Sequence, residues 1–315
     1  MRPLTVWILL AGAAASVARA QPDDLARWDL ICYCSATVNT PHFAVFADSN
    51  GRILYYAQTG ATRAVLERAT GTRVTVSQLE FLRAWRLLSR EGDVYTTSIP
   101  VLGPEAIGRL RVDMRRLAER LVPGIVPDLH VVTEELDRRK LHAHLYAVVF
   151  SLVLDGLTWD ALDSARAVPE IAITAEHPFW DGVFWAVYPK RDAAPGTNSG
   201  RVDSLQLLMT WTERVLDPLA SLRKTLDLSS APIPVIHKNQ SDSIFVAGMR
   251  IAGRIAAAVV AYDTAQRAHV IDTHELIWEI LDALVARGLL QQPAVLRAGP
   301  TTPEHLLPLL VLTDR

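Results

Sequence analysis

The sequence predicts an α+β, mainly helical fold, with a small N-terminal antiparallel sheet carrying packed helices and a helical region after it. Three observations carry this expectation. Residues 28 to 58 contain short runs rich in aromatic and β-branched side chains, separated by turn residues. Beyond Gly60, apolar side chains recur mostly at helical spacing. The stretch Leu145 to Leu154 is apolar almost throughout yet too short to cross a bilayer, so it should be a central buried helix.

Trp28 to Cys34, His42 to Ala47 and Arg52 to Tyr56 are expected to be extended, the last two joined into a hairpin by Asp48-Ser49-Asn50-Gly51. A helix over Ala61 to Ala69 should end at Gly71. Ser77-Gln78-Leu79-Glu80 fits a capping box and starts another, turning Leu79, Leu82, Trp85 and Leu88 to the core. Gly92 closes it, Val94 to Leu102 reads as extended, and Pro104 opens a helix with the apolar stripe Ile107, Leu110, Met114, Leu117 and Leu121. The next helix, Thr133 to Leu157, has Glu134, Glu135 and Asp137 near its positive end and Asp155-Gly156 at its close. Residues 189 to 201, with two prolines and two glycines, are expected to be a loop between a region 21 to 188 and a helical region 202 to 315; one integrated domain is the alternative. The later helices should cover Asp203 to Val215, Asp217 to Leu226, Ser243 to Tyr262, Thr273 to Arg287 and Pro303 to Leu312. Ser243 to Tyr262 is apolar enough to suggest a membrane helix. Arg250 and Arg254 lie on one of its faces, which favours packing inside protein with one wet edge.

The first twenty residues have the three regions of a cleavable export signal: Arg2, the apolar run Leu4 to Val17, and the small-residue site Ala18-Arg19-Ala20. The working chain is then expected to begin near Gln21 and to be periplasmic or extracellular. No cysteine follows that site to carry a lipid, and no membrane span is expected after cleavage. Cleavage leaves thirty basic residues against 34 acidic ones, which argues against a dedicated polyanion binder. Arginine makes up 28 of the 32 basic residues, a bias that points to a bacterial chain. Cys32 and Cys34 are the two cysteines, so disulfides do not build this fold. On one strand face their Cα atoms would lie about 6.6 Å apart, and a disulfide needs local bending; two buried thiols, or a metal or catalytic role, are the alternatives.

The order helix, helix, extended segment, helix across residues 61 to 122 resembles a winged-helix arrangement in outline. That resemblance implies DNA reading, which export and the acidic balance oppose, so nucleic acid is not the expected partner. Arg109, Arg111, Arg115, Arg116 and Arg120 form either an anion-binding row or a solvated helix face.

Signatures of chemistry are incomplete. Ser221-Leu222-Arg223-Lys224 has the S-x-x-K spacing without a following K-T-G, and Gly196-Thr197-Asn198-Ser199-Gly200 misplaces the serine of a nucleophile elbow. His274-Glu275 begins an H-E-x-x-H helix, but Trp278 stands where the second imidazole is needed. His142 and His144 are two apart, about 200° around a helix, so one should face the core with its nitrogen satisfied and the other solvent. No metal or cofactor is expected. The richest stretch is residues 176 to 188. Glu176, His177 and Asp181 are the candidate acid-base groups there, and Trp180, Trp185 and Tyr188 the candidate ligand-binding rings. The alternating aromatics fit a buried strand equally well. The expected function is an exported binding or interaction protein of the bacterial cell envelope, with an envelope ligand or protein as partner; the alternative is an exported hydrolase using the imidazole-carboxylate site around His177.

Overall fold

Two hydrophobic clusters organise the chain in the computed structural model, which describes residues 28–33, 42–168, 184–189, 191–225, 227–228, 230–263 and 269–314. Residues 1 to 20, expected to be an export signal, and Cys34, Glu176, His177, Trp180 and Asp181 lie outside the described residues. The structure is α+β and mainly helical, as expected.

The smaller cluster is built by β1 (Trp28–Tyr33), α1 (His42–Phe46), α2 (Asn50–Tyr56), β2 (Ala61–Thr62), α3 (Arg63–Thr70), α4 (Val76–Ala84), β3 (Leu88–Glu91) and β4 (Val94–Thr97). The hairpin expected over residues 42 to 56 is instead two short helices. Their β-prone composition is overridden by burial: Ala44, Val45, Ile53, Leu54 and Ala57 all face this core. Asn50 is not a turn residue but a buried clasp. Its Nδ2 donates to the Ala44 carbonyl at 2.6 Å, and its Oδ1 accepts from Gln78 Nε2 at 2.8 Å.

α3 starts at a Thr62 cap and ends at Gly71, whose φ of 68° is the left-handed geometry glycine adopts at low cost. α4 starts two residues before the expected position, because Thr75 rather than Ser77 is the cap; its Oγ1 accepts from the Gln78 amide at 3.1 Å. Leu79, Leu82, Trp85 and Leu88 are buried, as their spacing predicts. Strands β2, β4 and β3 pair antiparallel in that order, with β3 and β4 joined at Gly92-Asp93. The order helix, helix, extended segment, helix read at 61 to 122 is present as α3, α4, the β3–β4 hairpin and the helix that begins at Pro104, and α1 and α2 extend the helix-turn-helix back to residue 42.

The larger cluster is built on α5 (Pro104–Arg138), a single helix where the sequence suggests two. Pro123 and Pro127 lie inside it without ending it. The carbonyls that lose an amide partner are those of Glu119 and Pro123, and both residues, like Pro127, are exposed on the wet face of the helix. Meanwhile Met114, Ala118, Val122, Ile125, Leu129, Val132 and Leu136 keep one continuous buried stripe. The helix stops at Lys140, with φ 60°, where the Leu141 amide returns to the Leu136 carbonyl at 2.8 Å.

A second helical stretch follows, running from a 3-10 turn at His142–His144 through α6 (Leu145–Ala147) and a π-helical segment Val148–Leu157 into α7 (Thr158–Ser164). Asp155-Gly156 does not close it, and Leu145 to Leu154 is the buried centre that was expected. His144 is buried with Nδ1 3.0 Å from the Leu310 carbonyl, while His142 is exposed beside Asp137.

β5 (Phe184–Pro189) pairs antiparallel with β1, matching Cys32 to Trp185 and Asp29 to Tyr188. The loop expected over 189 to 201 contains β6 (Gly196–Val202), and the helix expected over 203 to 215 is mostly β7 (Leu205–Trp211). The chain continues through α8 (Leu216–Thr225), β8 (Val235–Ile236), α9 (Ser243–Tyr262), α10 (His269–Ala286), α11 (Val295–Ala298), a 3-10 segment Pro303–Leu309 and β9 (Leu310–Thr313). Leu310 to Leu312, expected at the end of a helix, is instead strand. β6, β7, β9 and β8 form one sheet in that order, with β8 and β9 parallel. β7 and β9 are its inner strands and bury both faces, so their apolar runs carry no alternation to distinguish strand from helix. Gly196 is required where it stands, since a Cβ there would lie 2.5 Å from the Trp211 ring.

His142–Ser164 and Ser243–Tyr262 are both long and apolar enough to cross a membrane by length and composition. In the structure the first is mostly buried within the protein. The second buries Ile244, Ala247, Ile251, Ile255 and Val259, while its Arg250 donates to Asp128 at 2.6 Å.

Candidate functional site

The described residues around the sequence-predicted site form a structural clamp. Trp185 and Tyr188 belong to β5, and the far end of that strand is held by charge. Arg111 on α5 donates from Nη2 to the Pro189 carbonyl at 3.0 Å and grips Glu275 on α10 with two hydrogen bonds of 3.0 Å. One turn along both helices, Arg115 donates to Glu279 at 3.0 Å. Arg191, just beyond β5, bonds Glu279, lies 3.7 Å from Glu275 and stacks its guanidinium 5.8 Å from the Trp278 ring centroid. Three arginines thus meet the buried carboxylates of Glu275 and Glu279, with Asp282 3.6 Å from Arg191 at the rim.

This arrangement answers two sequence-level questions. Glu275 is an ion-pair partner with no exposed surface, not the base of a zinc helix. Four of the five arginines of the row are committed: Arg109 pairs with Glu105, Arg116 with Asp113, and Arg111 and Arg115 point into the ladder, while Arg120 is exposed without an ion pair among the described residues. Most of the row's charge is cancelled where it stands, so the row is a poor anion site. His274 packs its ring between Trp159 and Trp278, at 5.1 and 5.7 Å. Among the described residues no group of three or more His, Cys, Asp or Glu side chains could hold a metal ion. Ser221 faces a cavity of about 290 Å³ between α8 and the Pro303–Leu309 segment, whose lining does not include Lys224. Ser199 lies exposed on β6 rather than at a strand-to-helix elbow.

An opening lies in the helix-turn-helix. Its floor comes from the start of α2 and its wall from the α3–α4 turn and the first turns of α4, enclosing about 690 Å³. Local bonding makes that wall rigid. Thr70 Oγ1 donates to the Leu66 carbonyl at 2.8 Å, and Glu67 Oε1 accepts from the Val74 amide at 3.2 Å, which fixes the turn. Gln78 then ties α4 to α2, its Nε2 donating to Asn50 Oδ1 at 2.8 Å and to Ser49 Oγ at 3.3 Å.

The surface these bonds present is polar, with Asp48, Ser49, Arg52, Arg73, Ser77 and Gln78 facing the opening. Phe81 stands at its edge, 38% exposed, beside Phe43 at 56%, with their ring centroids 6.2 Å apart. Hydrogen-bonding groups converging on a concave wall with an aromatic face at one side are the elements of a small-molecule site. Sequence reading overlooks these residues because Asp48 to Gly51 matches a hairpin turn and Gln78 matches an ordinary capping position. The Thr75-x-x-Gln78 spacing is the one local signal, and it marks a helix start, not a cleft.

Compared with known proteins, the chain matches no family model, no curated protein and no solved structure.

Proposed function

We propose that this is a binding protein, working outside the cytoplasm, that takes a polar ligand into the cleft between α2 and the α3–α4 turn. The observation that carries the reading is the cleft itself: about 690 Å³ of concave surface walled by braced side-chain donors and acceptors and edged by an aromatic ring. Pre-bonding of Asn50, Ser49 and Gln78 favours binding, because side chains already held in place lose little conformational freedom when a ligand arrives. The signal-like pattern of residues 1 to 20, Arg2, the apolar run and Ala18-Arg19-Ala20, supports an envelope or extracellular setting, and so an envelope ligand.

The test is ligand retention. Protein purified from its native cell fraction is examined by native mass spectrometry beside Ser77→Trp, which fills the cleft from an exposed position. A small molecule carried by the wild type and lost from the variant is the expected result. Equal retention by both would sink the proposal. The hydrolase alternative predicts that wild type turns such a ligand over and His177→Ala does not; unchanged turnover in that variant removes it.

A further inference from the structure

The cleft holds a positive charge that the protein does not cancel. Among the described residues five arginines are half-buried: Arg52, Arg83, Arg111, Arg139 and Arg191. Four of them face a carboxylate, Arg83 at 2.5 Å from Glu80, Arg111 at 3.0 Å from Glu275, Arg139 at 2.7 Å from Glu135, and Arg191 against Glu279. Arg52, in the cleft wall, pairs with no carboxylate, and its Nε is buried without a hydrogen-bond partner. Arg191 Nη1 is also buried without a hydrogen bond but lies 3.7 Å from the Glu275 carboxylate, so among the described half-buried arginines Arg52 alone faces no carboxylate, and it lines the cleft.

The physical cost of that exception is the argument. Arg52 is partly exposed, and it is its Nε that is withdrawn from water without a partner; a buried donor left unpaired is destabilising. An anion entering the cleft would supply the missing partner, and a guanidinium is suited to two-point contact with carboxylate or phosphate oxygens. Arg73 adds a second cation to the lining, while the carboxylate of Asp48, also in the lining, offsets one charge, leaving the opening net positive. Thr75 Oγ1 occupies only one of the amides at the start of α4, and the others add their partial positive charge on the same side.

We propose that the ligand of this cleft is a small molecule bearing an oxyanion, carboxylate or phosphate, with Arg52 as its principal contact and Arg73 as the second. The proposal rests on the cleft being the binding site. It assigns Arg52 a role in recognition rather than in folding.

The experiment is calorimetric titration of the full chain at fixed ionic strength with inorganic phosphate, citrate, glucose as an uncharged comparator, and a short DNA duplex. Four proteins are compared: wild type, Arg52→Gln, Gln78→Ala, and Arg63→Gln, which removes an exposed arginine of α3 outside the cleft. Phosphate or citrate should saturate the wild type. Arg52→Gln should weaken that binding about tenfold or more, the scale of a lost charge-assisted contact, and Arg63→Gln should not change it. Without ligand, Arg52→Gln should melt no lower than wild type, because the charge it removes has no partner in the protein.

Three outcomes overturn the proposal. Equal anion affinity in wild type and Arg52→Gln is one, and a strong loss of unliganded stability in Arg52→Gln, marking a structural arginine, is another. Failure of phosphate and citrate to saturate while the duplex binds with steep salt dependence is the third. Glucose binding lost in Gln78→Ala and kept in Arg52→Gln would remove the anion and leave the cleft reading standing. No binding by any probe, together with ligand retention unaffected by Ser77→Trp, would remove both.

Discussion

Replacing Glu275 by glutamine keeps the side chain's shape and deletes its charge at the centre of the clamp. The wild-type carboxylate has no exposed surface, accepts two 3.0 Å hydrogen bonds from Arg111 and lies 3.7 Å from Arg191. In the variant an amide group faces a guanidinium, donor against donor, and two arginines that are 22% and 16% exposed lose a counter-charge. Breaking a fully buried pair from one side costs about 3–5 kcal/mol. Water still reaches Arg111, and Glu279 still covers Arg191, so the lower end applies, roughly 2–3 kcal/mol after screening. For a chain of this size that corresponds to a Tm lower by about 4–12 °C. Thermal unfolding followed by circular dichroism measures it. Because Arg111 also holds the Pro189 carbonyl, amide exchange in residues 184 to 189 should rise in the same variant. Glu275→Leu combined with Arg111→Met should recover part of the loss, since exchanging a buried pair for apolar groups is often close to neutral. A Tm within about 1 °C of wild type for Glu275→Gln, well under the shift expected for such a loss, with unchanged exchange in β5, would refute the account of the clamp.

Burial holds the His144 imidazole below its usual range, more strongly than the nearby Leu310 and Pro232 carbonyls raise it, so the folded state binds fewer protons than the unfolded one. Its contribution to stability is complete above about pH 6.5 and declines as pH falls through the lower folded value; the slope of unfolding free energy against pH in that window should flatten in His144→Gln. Glu135 is held down to about 2, first by the hydrogen bond from Arg138 and then by Arg139. Its stabilisation is present above the ordinary value of 4.5 and disappears as pH falls toward 2, so Glu135→Gln should unfold with less acid dependence in urea titrations between those limits. Gly196→Ala should destabilise by about 1–3 kcal/mol through overpacking against the Trp211 ring, read as an earlier denaturation midpoint at unchanged m-value.

How much of this fold can be read in the sequence depends on whether the deciding contact is local. α9 has the expected bounds because Asp242 marks its start within the chain, accepting from the Ile244 amide at 3.0 Å, and the apolar face repeats from there. α1 and α2 are misread because their composition favours strand and their helical state is decided by Asn50 meeting Gln78, 28 residues away. α5 runs through two prolines because the bonds they remove face water, an orientation that spacing alone does not reveal. β7 and β9 pass for helix because both faces are covered by elements distant in sequence. The cleft is hidden for the same reason. Its walls come from separate helices, and what distinguishes Arg52 from the other half-buried arginines is the absence of a carboxylate in space.

The winged arrangement of residues 42 to 97 raises a further question, whether α4 reads nucleic acid, and the surface of α4 answers it with a prediction. Helices that enter a groove need uncommitted cations for phosphates and polar side chains for base edges. The outward positions of α4 instead include Val76, 55% exposed, and Phe81, 38% exposed, with Ala84 a turn beyond. Glu80 lies midway, and it holds Arg83 at 2.5 Å and Arg90 of the wing at 3.8 Å, so two cations of the module are already spent. From His42 to Val101 the chain carries seven arginines against five carboxylates, too slight an excess to neutralise many phosphates. Duplex binding that releases Z counterions weakens with salt at a slope of about −0.9Z on logarithmic axes. Arg52 and Arg73 beside the start of α4 and Arg86 just past its end have no carboxylate pair among the described residues, so the slope should stay near −3 or shallower. A measured slope of about −5 or steeper that falls when Val76 and Phe81 are replaced by serine would show that this face does enter a groove, and would move the function from small-molecule binding to nucleic-acid recognition.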